Sequence, residues 1–475
     1  MLFPISTMIT VSTIIRVFLA LRRQKRSSPG NAVSATFHSI MARFRPPEAG
    51  LSRAKTPVAR YTCPIMIDIR ALKSNPEPYR VSAAAKGIGI DSIDHIIKLD
   101  NRRIELLGTV EALRAQLNVK GKPTAEELEA LQAAKAKLVD LDVKLNEVEA
   151  ELRLESLLVP NLLAPNTPEG GEENNREDRS WGEHKKYDFE LKDHLTIAEA
   201  NEWVDFERGA KVAGSKFYYL RGSLVRLELA VTQLVYDLAA KHGLEPMLVP
   251  HMVNSRVLEA SGYQPRGEEQ QSYKIENDDL TMIGTAEIPL TGFYGDEILA
   301  LDKLPAAFIG LSPAYRREAG AYGKYSKGLY RVHQFNKLEM YVFCTPETSA
   351  EWHQKLIKIE EDICQALELP YRLVRIAAGD MGAPAYEKYD IEYWSPIEQT
   401  YRELMSCSNV TDFQSRRLNI RYRADDGSVK FVHTLNGTAA AFSRLPIALL
   451  ENHQQADGSV RLPKTLAHYY GSEVL

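Results

Sequence analysis

The chain is 475 residues long, 44% hydrophobic and 26% charged, which excludes wholesale disorder and leaves room for a large core in two or three domains. The net charge is −4, but residues 1–67 carry ten Lys/Arg against one acid, leaving −13 on the rest, so nucleic acid cannot be held by a general electrostatic blanket. Four scattered cysteines (Cys63, Cys344, Cys364, Cys407) with no C-x-x-C pair exclude a disulfide scaffold or zinc ribbon and fit a reducing compartment.

Residues 1–65 differ in character from the rest of the chain. Met8 to Leu21 is a largely apolar run of 14 broken by Arg16, short of the ~20 residues a membrane span needs. Arg22, Arg23, Lys25 and Arg26 come after it, the reverse of a secretory signal. The segment is either an organellar transit peptide or upstream sequence before a natural start at Met66.

From Asp91 the pattern is helical. Ile96, Leu99, Leu106, Val110, Leu113 and Leu117 fall on alternating spacings of three and four, with Arg103 filling one slot. Gly121-Lys122-Pro123 makes a turn, with Glu126 and Glu127 in the first turn of the next helix, where negative charge suits the helix dipole. Leu128, Leu131, Leu138, Leu141, Leu145, Val148 and Leu152 form a second seam. The two seams predict an antiparallel coiled-coil hairpin. Two helices of an ordinary bundle are the alternative, but Arg102, Arg114, Lys135, Lys137 and Lys144 leave no broad apolar face, which favours a free-standing arm.

The domains are therefore expected at 66–160 for an N-terminal unit with the arm, 161–190 for a linker and 191–475 for a compact body. Pro160 to Lys186 is acidic and rich in turn residues. In the body, Leu224, Leu227, Val231, Leu234 and Leu238 form a helical stripe closed by Gly243, and Met247 to Pro250 is a short strand. Strands are expected at Tyr330–Phe343, Asp390–Trp394 and Val429–Leu435, and a helix at Ala439–His453. This pattern predicts an α+β fold with a mostly antiparallel sheet. Neither a P-loop nor a Rossmann glycine fingerprint is present.

Three segments carry candidate chemistry. Arg316-Arg317-Glu318 leads through a basic loop with Lys324 and Lys327 to Arg331-Val332-His333-Gln334-Phe335-Asn336-Lys337-Leu338-Glu339. Strand alternation places Arg331, His333 and Phe335 on one face, continued by Lys337 and Glu339. Guanidinium, flat ring and carboxylates on one surface suit a nucleotide; a salt-bridged surface pair of strands is the alternative. Glu403 and Ser406 in a polar run could hold Mg²⁺ through oxygens, or mark a polar strand end. Arg444, within an apolar helix, either meets an anion or lies on a surface stripe.

In order along the chain, these segments resemble seryl-tRNA synthetase, a class II aminoacyl-tRNA synthetase of bacterial type. Leu224 to Pro250 is similar to motif 1, Thr285-Ala286-Glu287 to the T-x-E serine motif and Arg316 to Glu339 to motif 2. Glu403 to Asn409 matches the E-x-x-S-C-S-N run, and Asn436 to Arg444 resembles motif 3. The resemblance spans about 410 residues from Met66 and implies an antiparallel sheet flanked by helices, dimeric through motif 1.

It further implies that ATP and L-serine are substrates, with Mg²⁺ as cofactor. Arg316 would contact the α-phosphate and Arg444 the γ-phosphate. Phe335 would stack on adenine, Glu318 would fix the adenine end and Val332 would offer backbone contacts. Glu403 and Ser406 would hold the metal, and Thr285, Glu287, Glu339 and Thr438 would surround serine. The hairpin would lie against the long variable arm of serine tRNA across a homodimer. Selenocysteine tRNA is a further potential acceptor. No membrane association is expected, and the location is cytoplasmic, or the mitochondrial matrix if 1–65 is a transit peptide. Arg317, Lys324, Lys327, Met405 and Ser443 depart from the commonest family pattern. An amino acid:carrier-protein ligase would lack the arm, and a non-catalytic RNA-binding relative would have lost an ATP-site residue.

Overall fold

The computed structural model describes residues 66–89, 91–118, 124–263, 271–318 and 328–475. The 1–65 segment, the turn at 121–123 and the loop with Lys324 and Lys327 lie outside the described residues.

Four helices open the described chain: α1 (Ile69–Ser74), α2 (Glu77–Ala85), α3 (Asp91–Leu117) and α4 (Ala125–Leu158). The last two form the expected hairpin and are longer than the seams alone suggest. At 27 and 34 residues they run about 40 and 50 Å. Thr124 starts α4 with a reciprocal capping box: its Oγ1 accepts from the Glu127 amide at 3.2 Å, and Glu127 Oε2 accepts from the Thr124 amide at 2.7 Å. Leu106, Val110 and Leu145 bury the middle of the seam, whereas Leu128, farther out, is 49% exposed. Ile93, Ile96, Leu99 and Leu152 pack at the base with Leu72 of α1 and Val159. The arm therefore has its own foundation, two short helices that the seam pattern did not signal.

The body is built on an eight-stranded sheet of β1 (Arg176–Trp181), β2 (Glu245–Leu248), β3 (Ala306–Tyr315), β4 (Gln334–Cys344), β5 (Tyr371–Arg375), β6 (Glu387–Ser395), β7 (Thr400–Thr411) and β8 (His433–Ala441). The order is β1-β5-β6-β7-β8-β4-β3-β2, antiparallel except for the β2–β3 pair at one edge. Helices α5 (Ser223–Lys241), α6 (Glu287–Thr291), α7 (Ser349–Ala366), α8 (Phe413–Leu418) and α9 (Leu445–His453) pack against it. The α+β expectation holds.

Alternation along β4 separates two layers. Leu338, Met340 and Val342 join the main core with Leu227 and Leu234 of α5, Leu356 and Ile363 of α7 and Leu449 of α9. Tyr341 and Phe343 point the other way and pack with Ile288 and Leu290 of α6 and Leu418 of α8. Phe335, Lys337 and Glu339 share this second face with Tyr341.

Several expectations need correction. The helix expected at Ala439–His453 begins only at Leu445, with Arg444 as its N-cap. Ala440 and Ala441 instead pair with Leu338 and Lys337, because a central ladder outweighs the weak intrinsic preference of alanine. Arg444 is thus not a helix-interior residue. The strand expected from Tyr330 starts at Gln334, after a 3₁₀ turn at Gly328–Tyr330, so Arg331 and His333 precede the strand. Val429–Leu435 divides: Val429–Phe431 pairs with Arg421–Arg423 in a small separate sheet, and β8 begins at His433. The expected linker also supplies an edge strand, β1, paired to β5. Asn161 in the same stretch is pinned by its side-chain amide to the carbonyls of Val410 (2.7 Å) and Pro384 (2.9 Å).

Candidate active site

A bulge in β7 creates the first part of the site. Ile391 pairs with Met405 and Glu392 with Glu403, leaving Leu404 as the extra residue. Residues three apart on a regular strand face opposite ways. The bulge restores Glu403 and Ser406 to one face, shared with Glu392, Asp390 and Lys388 on β6. Met405 is buried in the core on the far side, so this departure from the family pattern does not line the site.

Arg444 reaches Glu403 from the start of α9, with Nη1 2.8 Å from Oε1. Glu403 remains 44% solvent-exposed on the cleft wall. Burial of its surroundings favours the neutral acid, but Arg444, Lys388 and Arg316 outweigh that and hold the carboxyl down at about 2. Arg316 and Arg444, 128 positions apart in sequence, therefore act on one carboxylate in one cleft. Arg316 also donates from Nε to the Gly284 carbonyl at 3.2 Å, and its guanidinium carbon stands 5.4 Å from the Phe335 ring centroid. Phe335 is backed by Ala314, Val332 and Ala441.

Glu318 adopts a left-handed backbone (φ 47°), unusual for a residue with a side chain, and its Oε2 accepts from Arg331 at 3.1 Å. The surface-pair alternative considered for this segment thus describes Arg331 and Glu318 locally, while Arg316 and Phe335 face the cleft. Arg317 is exposed. Ser443 is buried in the turn that presents Arg444.

A second pocket lies beside the first. Thr438 on β8 pairs directly with Glu339 on β4, and a bulge at Ala439 follows. Gly310 on β3 lies on the other side of Glu339, with no side chain to crowd it. Glu339 is 1% exposed and forms an ion pair with Lys337, whose Nζ stands 3.4 Å from Thr285 Oγ1. Glu287, at the start of α6, accepts from Gln414 Nε2 (2.8 Å) and Asn436 Nδ2 (3.1 Å). Tyr341 and Thr434 both donate to Gln414 Oε1, which turns the Gln414 amide toward Glu287. Burial and the nearby Glu339 raise Glu287 to about 7; burial also raises Glu339, against the pull of Lys337. Two carboxyls sharing one buried pocket suit a small cation such as an ammonium group.

The structure thus brings Thr285, Glu287, Glu339 and Thr438 together, and Arg316, Phe335, Glu403, Ser406 and Arg444 beside them. Sequence reasoning did not single out Gln414, Asn436, Lys388 or Asp390. Lys388 and Asp390 had a faint signal, charges interleaved with Tyr389, Ile391, Tyr393 and Trp394 along the strand; Gln414 had none.

Residues 66–163 fit the family model for the seryl-tRNA synthetase N-terminal domain, and residues 272–453 fit that for the class II tRNA synthetase core domain (G, H, P, S and T). Serine–tRNA ligase of Rubrobacter xylanophilus is 46% identical over 420 residues, covering 86% of this chain and 99% of that protein. The chain belongs to the seryl-tRNA synthetase family. The serine–tRNA ligase of Dictyoglomus turgidum is 45% identical over 417 residues, with 86% and 98% coverage. Among solved structures, seryl-tRNA synthetase from Pyrococcus horikoshii complexed with ATP superposes with a TM-score of 0.80 at 38% identity, covering 86% of this chain and 99% of that one. As a seryl-tRNA synthetase family member the chain is a class II aminoacyl-tRNA synthetase, which accounts for the antiparallel sheet and for the ordered motifs along it.

Proposed function

We propose that the chain activates L-serine with ATP to form seryl-adenylate and transfers the seryl group to serine tRNA. The observation that carries this reading is the convergence of Arg316 and Arg444 on Glu403, next to a pocket with two buried carboxyls. The serine carboxylate attacks the α-phosphorus, the bond to the β-phosphate oxygen breaks, and pyrophosphate leaves. Both reactants are anionic, so repulsion contributes to the barrier. Arg316 at the α-phosphate and Arg444 at the γ-phosphate offset it, and more so in the cleft than in water. Phe335 supplies a flat surface for adenine, while Glu318 and the Val332 backbone border it. The terminal ribose hydroxyl of the tRNA then attacks the acyl carbon, and AMP leaves.

Mg²⁺ fits the oxygen donors Glu403 and Ser406. Glu403 stays ionised, both groups share a face, and Mg²⁺ characteristically takes few protein ligands and completes its shell with phosphate and water. When bound, it would add positive charge at the phosphates.

Thr285, Glu287, Glu339 and Thr438 surround serine. A site that hydrogen-bonds the serine hydroxyl leaves buried partners unpaired when alanine enters, a penalty that supports discrimination on the order of 10⁴. Threonine is refused by bulk. The ammonium of serine requires ionised carboxyls, and Glu287 titrates near 7. Serine affinity is therefore expected to fall as pH drops through 7. The KM for serine at saturating ATP should rise about tenfold between pH 8 and pH 6. A flat profile over that range would remove Glu287 from the ammonium site.

Val225 and Leu229 on α5 are 41% and 65% exposed, and Leu248 on β2 is 79% exposed. This apolar surface supports a homodimer, with an expected mass in light scattering of twice 53.4 kDa. The arm supports tRNA as acceptor over a carrier protein, and selenocysteine tRNA, which carries serine before conversion, belongs to the same proposal. No described helix is long and apolar enough to cross a membrane. Cytoplasmic placement is part of the proposal, and N-terminal sequencing of the native protein decides it against a cleaved transit peptide.

Serine-dependent exchange of pyrophosphate into ATP tests activation, and charging of serine tRNA against a carrier protein tests the acceptor. Exchange indifferent to serine would overturn the reading.

A further inference from the structure

Beneath the amino-acid pocket, on the opposite face of the sheet, one side chain is out of place in an apolar layer. Glu360 of α7 is 0% exposed, and neither carboxyl oxygen has a hydrogen-bond partner among the described residues. Its neighbours are those of the pocket floor. A Cβ built on Gly437 would lie 3.0 Å from Glu360 Oε1, 3.1 Å from Met340 Cε and 3.5 Å from Cys407 Sγ. A side chain at 437 would crowd the carboxyl, so the two residues are in close contact across the sheet. Gly437 stands between Asn436, which donates to Glu287, and Thr438, which pairs with Glu339. The ladder of β8 with β4 breaks immediately afterwards, at the bulge. The peptide carrying both pocket residues is therefore held on one side by a discontinuous ladder and from below by Glu360.

The protonation state is set by the surroundings. Burial first, then the nearby Asp390 and Glu339, raise the Glu360 carboxyl well above the ordinary range, and Lys337 and the Thr438 backbone amide only partly oppose this. The buried surroundings of Glu360 thus favour the neutral acid. A buried carboxyl whose hydrogen-bonding neighbour is the Thr438 backbone amide, with no well-formed bond among the described residues, is costly, and an apolar side chain of the same length would suit α7 better if packing were its only task.

We propose that Glu360 is a positioning residue for the amino-acid pocket: its carboxyl props the Gly437–Thr438 peptide from the far face of the sheet and fixes where Asn436 and Thr438 stand against the substrate. The inference rests on the serine-activation reading for the identity of that substrate. Glu360 touches no substrate and acts only through the strand.

The test uses the full chain with Glu360→Gln and Glu360→Met. A neutral amide reproduces both the shape and the neutrality of the acid, so Glu360→Gln is expected to keep the KM for serine within about twofold of the parent. Met fills the volume without polar atoms. Glu360→Met is expected to melt at or above the parent temperature, yet to raise the KM for serine about tenfold while the KM for ATP stays within about twofold. Alanine should also compete better with serine in this variant. A purely structural role predicts the reverse, unchanged kinetics with altered melting. The proposal is overturned if Glu360→Met has the parent's serine KM, if both KM values rise in proportion, or if Glu360→Gln is as impaired as Glu360→Met. Should the parent protein show no serine-dependent exchange, the functional reading fails separately. A crystal structure of Glu360→Met then still decides the prop, since an unshifted Gly437–Thr438 peptide overturns it.

Discussion

Alanine at position 316 is expected to reduce serine-dependent pyrophosphate exchange by on the order of 10³-fold while leaving the fold intact. Among the described residues, Arg316 forms no salt bridge. Its described contacts are a hydrogen bond from Nε to the Gly284 carbonyl, the face of Phe335, and a long-range pull on Glu403. Its pull on Glu287, Glu339 and Glu403 is in each case weaker than that of closer partners, so melting should shift little on truncation. The charge that reaches the α-phosphate disappears, and with it an interaction that strengthens as negative charge builds up in the transition state. Arg316→Lys should recover only part of the activity, because a single ammonium cannot hold Gly284 and a phosphate in the planar geometry of a guanidinium. Exchange near the parent rate in Arg316→Ala, measured with saturating serine and ATP, would show that the residue does not serve the phosphate.

Shortening the arm should separate the two half-reactions. Removing residues 104–147 and joining the stumps with a short Gly/Ser link deletes the distal seam of Leu106, Val110 and Leu145. It keeps Ile96, Leu99 and Leu152, which belong to the basal cluster with Leu72 and Val159. Exchange is expected to stay within about threefold of the parent, because no residue of the cleft is touched. Charging of serine tRNA should fall by about 10²-fold or more, since double-stranded RNA is recognised by shape and backbone over an extended surface, and that surface would be gone. Charging at the parent level would assign tRNA recognition elsewhere in the chain.

The arm and the sheet could be anticipated because their signals are local. A seam of leucines at alternating spacings needs only its own helix and the partner helix. Alternation along β4 likewise groups Phe335, Lys337 and Glu339 from sequence alone. What escaped was whatever depends on the ladder between strands. The alanine run before Arg444 reads as helix in isolation, but Ala440 and Ala441 are held extended by Leu338 and Lys337. Gln414 could not be recognised as part of the pocket, because its role comes from Tyr341 and Thr434, residues distant in sequence. Glu360 was invisible for the same reason: within α7 it is one more charged residue among several. Glu403 and Ser406 were chosen as a pair for their chemistry, yet strand periodicity alone would have put them on opposite faces.

That last pair owes its geometry to a single supernumerary residue. An extra residue between Ile391 and Glu392 would give Leu404 a partner, regularise the ladder and turn Glu403 into the hydrocarbon layer, away from Arg444, without altering a single functional side chain. Ala439 holds the same position of trust in β8, beside Thr438. The strands facing these bulges can therefore drift in composition far more readily than in length: a one-codon insertion opposite Leu404 or Ala439 would be more damaging than many substitutions, although neither Leu404 nor Ala439 carries any chemistry of its own.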